Sequence, residues 1–238
     1  MKLNETNEDT GFGLVSTARA ISAMVDELSE LLIRPPSLYF DVEGINLSLH
    51  ETISILQIHV RTTGKTSLVD MYTLQEVAFS TQGNNTSLTV KDIMESSSIP
   101  KVFFDVRSDS DALYNLYKIE LKGIKDLQLM EFATRSYNKR FITGLKKCIA
   151  RDMPMTITEK LAWSRAKDEG SKLFAPEKGG SYEVFNNRPL PENIRAYCVQ
   201  DVHFLPRLWD LVKVEDATKA RVMLSKSPDF NRNGQHMA

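Results

Sequence analysis

The chain has 238 residues, a length that fits one large domain or one domain with an appendage. Hydrophobic residues make up 42% and charged residues 26% of the sequence, which is typical of a folded globular protein and excludes a mainly disordered or fibrous chain. No stretch approaches the roughly 18 uncharged apolar residues of a membrane span. The polar first residues also lack the apolar core of a signal peptide, so we expect an intracellular protein, cytoplasmic or nuclear, without membrane contact.

Charge is distributed unevenly, although the formal net charge is only −1. Residues 1–60 carry three basic and nine acidic side chains, whereas residues 135–178 carry eleven basic and five acidic ones. The near-neutral total argues against a protein whose whole surface attracts nucleic acid, but the basic stretch can hold phosphates. A solvated helical surface is an equally good interpretation of the charge alone.

The first predicted element is an amphipathic helix over residues 14–33, which Pro35-Pro36 ends. We interpret residues 1–35 as an N-terminal helical extension that packs on the domain or pairs with a protein partner or a second copy of the chain. We assign residues 36–212 to a single domain and residues 213–238 to a C-terminal helix or tail.

Within the domain, β-prone runs bounded by turn residues predict strands at 37–44, 52–60, 67–71, 101–105 and 124–129. Short helices are predicted at 88–94 and 110–119, and the pattern after residue 129 is mostly helical. Strands that come first and then alternate with helices indicate an α/β fold with a mixed β-sheet flanked by helices.

The cysteines and histidines give no metal site by spacing. Cys148 and Cys198 lie fifty residues apart without a CxxC pattern, and no zinc spacing joins the four histidines. Gly64-Lys65-Thr66 resembles the end of a phosphate-binding loop, but the glycine required five residues before Gly64 is His59. We therefore expect no zinc site and no such loop.

Two carboxylates stand out in the first strand. Because side chains alternate along a strand, Phe40 and Val42 point one way into a core, whereas Asp41 and Glu43 point the other way. Two carboxylates this close repel each other unless a cation lies between them, and Mg²⁺ or Mn²⁺ prefers such oxygen ligands. A solvated edge strand is the alternative interpretation of these residues taken alone.

Two further acidic features lie downstream. Tyr197 and Asp201 are four residues apart in a predicted helix, so they share one face. There the carboxylate can bind a metal while the hydroxyl orients water, and a Tyr–Asp hydrogen bond at the helix surface is the alternative. The exit from the strand at 101–105 carries three aspartates, Asp105, Asp109 and Asp111, which can also act simply as helix caps.

Taken in order, these features resemble the three exonuclease motifs of the DEDD superfamily, which has an RNase H-like fold. The tyrosine is typical of the DEDDy branch, which includes RNase D, and Ala196 stands where the DEDDh branch needs a histidine. The sequence over roughly residues 36–212 is most similar to the exonuclease 3′–5′ domain-containing and Egalitarian-like subgroup. The matching segments are LYFDVEG at 38–44, DLQ at 126–128, GL at 144–145 and RPLPENIRAYCVQD at 188–201.

The resemblance implies a metal-dependent 3′→5′ exonuclease that releases 5′-mononucleotides with two Mg²⁺ or Mn²⁺ ions. The implied catalytic and metal-binding carboxylates are Asp41, Glu43, Asp111 and Asp201, with Tyr197 orienting the attacking water. Asp111 fits the second motif best because Ala112-Leu113 follow it, and Asp109 is the alternative. Asp126 matches a supporting aspartate.

The implied substrate is the 3′ end of a nucleic acid, with single-stranded RNA favoured over DNA through the subgroup only. Gly44, Ile45 and Asn46 are expected to let the backbone approach the terminal nucleotide. The subgroup also contains nuclease-fold modules that have lost turnover and serve as RNA-binding or scaffold subunits. Degenerate members lose the carboxylates, and all of them are present here, so an active enzyme is the favoured hypothesis.

Overall fold

The computed structural model describes residues 12–31, 35–45, 52–135 and 139–212. These residues form a mixed sheet whose strands are β1 (Phe12–Val15), β2 (Leu38–Gly44), β3 (Ile53–Val60), β4 (Thr66–Asp70), β5 (Lys101–Phe103) and β6 (Ile124–Asp126). The strand order is β1-β4-β3-β2-β5-β6. The β2–β3 and β3–β4 pairs are antiparallel, whereas the β1–β4, β2–β5 and β5–β6 pairs are parallel. The predicted α/β class with a mixed sheet is therefore confirmed.

Helices cover both faces of the sheet. They are α1 (Ala18–Ser29), α2 (Met71–Leu74), α3 (Val77–Ser80), α4 (Val90–Glu95), α5 (Arg107–Tyr117), α6 (Leu127–Thr134), α7 (Leu145–Asp152), α8 (Ile157–Phe174), α9 (Glu192–His203) and α10 (Leu205–Leu211). Two 3₁₀ turns, Pro176–Lys178 and Tyr182–Asn186, lead from α8 towards α9. No helix within the described ranges is long and apolar enough to cross a bilayer.

Alternation along β2 separates two apolar layers. Phe40 and Val42 belong to the core that α1, α4 and α5 cover, whereas Tyr39 belongs to a second core on the opposite face. A third cluster, which includes Ile194 and Cys198 of α9, packs against β3 and β4 on that second face. The second face of β2 is therefore the face towards α9.

The described part of the predicted N-terminal extension packs on the domain, which is one of the two alternatives given for it. Residues 12–15, of which 14–15 were assigned to the helix, instead form β1 and pair in parallel with β4. Thr17 caps α1, whose side chains Ile21 and Val25 are fully buried in the first core. The apolar face of α1 is therefore used within the chain rather than exposed for a second copy. The predicted C-terminal helix or tail at 213–238 lies outside the described residues.

Candidate active site

Strand β2 carries the first two acidic side chains. Asp41 lies opposite Gln57 and Glu43 opposite Ile55 in the antiparallel pair with β3. Both carboxylates are half-buried and share the second face of the sheet, as the alternation of β2 predicted. The strand therefore presents two neighbouring carboxylates to the helix packed above them.

Helix α9 supplies the third carboxylate. It begins at Glu192, directly after Pro191, and continues through Tyr197 to Asp201, which is only 6% exposed. Carboxylate oxygens of Asp41, Glu43 and Asp201 lie within 4.8 Å of one another, although the strand and the helix are about 160 residues apart in sequence. The structure thus brings together three of the four predicted carboxylates.

The fourth predicted carboxylate, Asp111, is not part of this cluster. Asp111 is exposed, whereas Asp109 is 6% exposed and its charge raises the pKa of Asp41. The reason is helical geometry. Asp109 and Asp111 are two residues apart in α5, which begins at Arg107, so their side chains point in directions that differ by about 200°. Asp109 therefore lies in the first turn and faces the cluster, although it does not join the 4.8 Å group. Asp109, the alternative in the sequence, takes the place predicted for Asp111.

The supporting aspartate of the sequence motif holds the start of α5. The Asp126 carboxylate accepts hydrogen bonds from the backbone N–H groups of Asp105 (3.1 Å) and Val106 (3.3 Å). The same carboxylate caps α6 by accepting from Gln128 N at 2.9 Å. Asp105 itself has a left-handed backbone (φ 64°), which these bonds stabilise. Asp126 thus fixes the helix that carries Asp109.

Lys167 is a site residue that the sequence interpretation missed. It lies on α8, is 7% exposed, and its ammonium donates a short hydrogen bond to Asp201 Oδ1. The same ammonium lies 3.6 Å from the centre of the Tyr197 ring. The sequence does contain a signal for it, because Trp163, Lys167 and Gly170 recur at helical spacing and are the buried residues of α8. A lysine on such a stripe needs an internal counterion.

Burial and mutual repulsion disfavour the charged forms of the clustered carboxylates. Burial, followed by the charges of Asp109, Asp201 and Glu43, raises the pKa of Asp41 well above its usual range. Burial and Asp201 raise the pKa of Glu43 in the same way, and burial raises that of Asp201 although Lys167 opposes the shift. Burial, with smaller effects of Asp105 and Asp126, raises the pKa of Asp109 to about 8.

Tyr197 is held beside the carboxylates by close packing between α8 and α9. A Cβ atom on Gly170 would lie 2.5 Å from Tyr197 Cβ, so only glycine permits this approach of the two helices. The ring also packs edge-on against Phe174, with 4.9 Å between the ring centres. Burial and the charges of Asp201 and Glu43 raise the pKa of Tyr197, so its hydroxyl stays protonated at neutral pH.

The donor set fits a hard divalent cation. All donors are carboxylate oxygens, and Asp201 Oδ2 is buried without a hydrogen-bond partner in the part of the chain that the structure describes. Lys167 provides one positive charge against Asp41, Glu43, Asp109 and Asp201. The arrangement therefore has both an unsatisfied acceptor and uncompensated negative charge. A bound cation would satisfy the first and neutralise the second.

The predicted substrate-binding residues begin at the last residue of β2. Gly44 is buried, and Ile45 is half-buried with its N–H donating to Thr52 O at 3.1 Å. Asn46 lies outside the described residues. Gly44 follows Glu43 directly, so the backbone here lies beside the carboxylate cluster.

A second acidic group has a different chemistry. Donor atoms of Glu131, Cys148 and Asp152 also lie within 4.8 Å of one another. However, Arg135 and Arg151 form ion pairs of 2.5 and 2.7 Å with Glu131, and burial raises the pKa of Cys148 to about 12. The two arginines already neutralise this group, and it has no need of a metal ion.

Comparison with known proteins agrees with this geometry. A family model described as 3′-5′ exonuclease matches residues 14–215, whereas no curated protein sequence matches. The structure of Trypanosoma brucei RNase D in complex with GMP superposes with a TM-score of 0.68 at 21% identity, covering 90% of this chain and 62% of that one. Brucella melitensis NrnC with bound Mg²⁺ gives 0.56 at 17% identity, covering 93% and 91%.

Escherichia coli RNase D, an exoribonuclease involved in structured RNA processing, gives a TM-score of 0.55 at 15% identity and covers 94% of this chain and 48% of that one. The chain thus spans about three fifths of the trypanosomal protein and about half of the bacterial one. These likenesses confirm the predicted RNase H-like fold. Because the family model matches most of its length, the chain belongs to the 3′-5′ exonuclease family.

Proposed function

We propose that the chain is a metal-dependent 3′→5′ exonuclease that shortens single-stranded RNA and releases 5′-mononucleotides. The observation that carries this proposal is the convergence of Asp41, Glu43 and Asp201 within 4.8 Å. The buried Asp109 beside them replaces Asp111 in the proposed catalytic set. Among the structural neighbours, Trypanosoma brucei RNase D was solved with RNA U12 and Brucella melitensis NrnC with pGG, which supports RNA as the substrate.

In this proposal the four carboxylates hold two divalent cations, Mg²⁺ or Mn²⁺. Bound cations would lower the pKa of a water molecule and stabilise the negative charge that develops on the leaving 3′-oxygen. Asp41, Glu43 and Asp201 would hold one cation, and Asp41 with Asp109 would hold the other. Lys167 supplies positive charge to Asp201, so it limits repulsion within the group.

The role proposed for Tyr197 is to position the attacking water. Its raised pKa makes the hydroxyl a hydrogen-bond donor and acceptor rather than a general base at neutral pH. Gly170 and Phe174 fix the ring, so the hydroxyl keeps one orientation relative to Asp201. The backbone after Glu43, at Gly44 and Ile45 together with Asn46, is proposed to contact the terminal nucleotide.

An oligonucleotide assay tests the proposal. RNA labelled at the 5′ end is expected to shorten in a ladder with MgCl₂ or MnCl₂, and EDTA is expected to stop the reaction. Asp41→Asn and Asp201→Asn should each abolish the ladder, whereas the exposed Asp111→Asn should retain it. A ladder that persists in EDTA would exclude the metal mechanism. Binding of RNA without cleavage would instead identify a nuclease-fold binding module, and faster cleavage of DNA would identify a DNA exonuclease.

A further inference from the structure

A cationic pocket lies between α6 and α7, apart from the carboxylate cluster. Its volume is about 410 Å³, and its walls include the side chains of Arg135, Lys147 and Arg151. The connecting backbone at residues 142–144 and the ring of Phe141 complete the lining. The pocket therefore combines three cationic side chains with one aromatic ring.

Ion pairs behind the pocket fix two of these cations. Arg135 is 7% exposed, and its guanidinium donates to Phe141 O (2.9 Å), to Thr143 Oγ1 (2.6 Å) and to Glu131. Arg151 shares the same Glu131 at 2.7 Å and also pairs with Asp152. The loop that forms the wall is thus held in place by hydrogen bonds before any ligand arrives.

Two side chains at the rim, Lys147 and Phe141, lack such ion pairs, although the Arg140 guanidinium lies 5.1 Å from the centre of the Phe141 ring. Lys147 is exposed and forms no ion pair with any residue that the structure describes. Phe141 is 62% exposed, which is unusual for a large aromatic side chain. A cation free to bind phosphate beside an exposed ring on which a base can stack is the typical combination of single-strand nucleic-acid sites.

Short hydrogen-bonded connections link the pocket to the candidate active site. Gln128 Nε2 donates to Thr143 O at 3.4 Å, and Gln128 lies two residues from Asp126, which holds the start of α5. On the other side, Lys146 pairs at 2.9 Å with Asp168, the neighbour of Lys167. The first connection joins the pocket wall to the segment that supports Asp109, and the second joins α7 to the helix that carries Lys167.

We infer that this pocket binds the phosphodiester backbone of the substrate upstream of its 3′ end, with a base stacked on Phe141. The inference rests on the proposed function, since it assumes that the 3′ end occupies the carboxylate cluster. It gives longer oligonucleotides an affinity that a dinucleotide, which fills only the carboxylate cluster, cannot obtain. Lys147 is the residue whose charge contributes most directly, because it alone among the three cations has no described acidic partner.

The test measures binding without cleavage. Full-length chain carrying Asp41→Asn is titrated, in EDTA, into a 5′-fluorescent uridine dinucleotide and a uridine dodecamer while anisotropy is recorded. We expect Lys147→Gln to raise the Kd of the dodecamer about fivefold and to lower the ratio of the dinucleotide Kd to the dodecamer Kd by a similar factor. The slope of log Kd against log salt should fall by about 0.7, the value for one phosphate contact in a single strand.

A matched control and a second variant make the result specific. Lys122→Gln removes an exposed charge just before β6, at the opposite end of that strand from the pocket, and is expected to change neither Kd nor slope. Phe141→Ser should weaken the dodecamer without changing the salt slope, since it removes stacking rather than charge. Equal thermal unfolding of all variants excludes misfolding as the cause.

Three results would overturn the inference: a Lys147→Gln variant indistinguishable from Lys122→Gln, equal weakening of dinucleotide and dodecamer, or displacement of the dodecamer by polyglutamate as readily as by unlabelled RNA. The failure of the exonuclease proposal has a different signature. In that case the chain without the Asp41→Asn substitution makes no ladder, while Lys147→Gln still reduces the affinity for the dodecamer.

Discussion

Replacing Lys167 by methionine tests how the buried carboxylates are balanced in the metal-free protein. The change keeps an unbranched stem of similar volume in α8 and removes the charge that pairs with Asp201. Both partners are less than one tenth exposed, and removing one member of a buried ion pair typically costs about 3–5 kcal/mol. Since Asp41 and Glu43 lie within 4.8 Å of Asp201, the uncompensated charge also meets like charges.

Urea unfolding in EDTA and in MgCl₂ measures this balance. In EDTA at neutral pH we expect Lys167→Met to lose about 3 kcal/mol, and the loss should shrink as the pH falls, because burial raises the pKa of Asp201 and a protonated carboxyl group needs no cation. Mg²⁺ at a hundred times the Kd of the variant should return about 2.7 kcal/mol, and at that same Mg²⁺ concentration the wild type should gain less, because its ammonium competes with the cation for Asp201. Lys160→Met, an exposed position on the same helix, should stay within about 0.5 kcal/mol. A Lys167→Met variant as stable in EDTA as the Lys160→Met control would refute the reasoning.

Three other predictions concern the same cluster. Asp109→Asn is expected to lower kcat by at least about a hundredfold, whereas Asp111→Asn should leave it within about twofold, and the reverse order would return the second motif to Asp111. Because burial raises the pKa of Asp109 to about 8, its contribution to the stability of metal-free protein is present below about pH 4 and is lost as the pH rises through 8. Urea titrations in EDTA should therefore show a decline in stability over that range that Asp109→Asn reduces, and an unchanged decline would contradict the assignment. Gly170→Ala should push Tyr197 out of place, lowering kcat more than it raises KM, and a crystal structure of the variant with the ring unmoved would count against this.

The site could be predicted where local periodicity decides which way a side chain points. Asp41 and Glu43 follow the two-residue period of a strand, and Tyr197 and Asp201 follow the four-residue spacing of a helix. Both patterns are local, so the sequence alone indicates a shared face. Lys167 is different, because its partner Asp201 is 34 residues away and only the packing of α8 on α9 brings them together.

The errors arose where an element boundary decides the outcome. The run from Ile124 was predicted as a strand to residue 129, but Asp126 caps a helix that begins at Leu127, and side-chain capping overrides the β-prone composition. The choice of Asp111 failed in the same way, because the first turn depends on where α5 begins. Strand β1 could not be found from the local pattern, since its partner β4 is about fifty residues further along the chain.

The position of β1 and α1 matters for anyone who shortens this protein. Strand β1 covers the outer edge of β4, and α1 seals the first core with Ile21, Met24, Val25 and Leu28. A fragment that starts at residue 36 would expose the edge of β4 together with the apolar surface that α1 covers. This combination promotes aggregation. Expression of the catalytic region alone should therefore retain the N-terminal segment from before residue 12, even though every proposed catalytic residue lies after it.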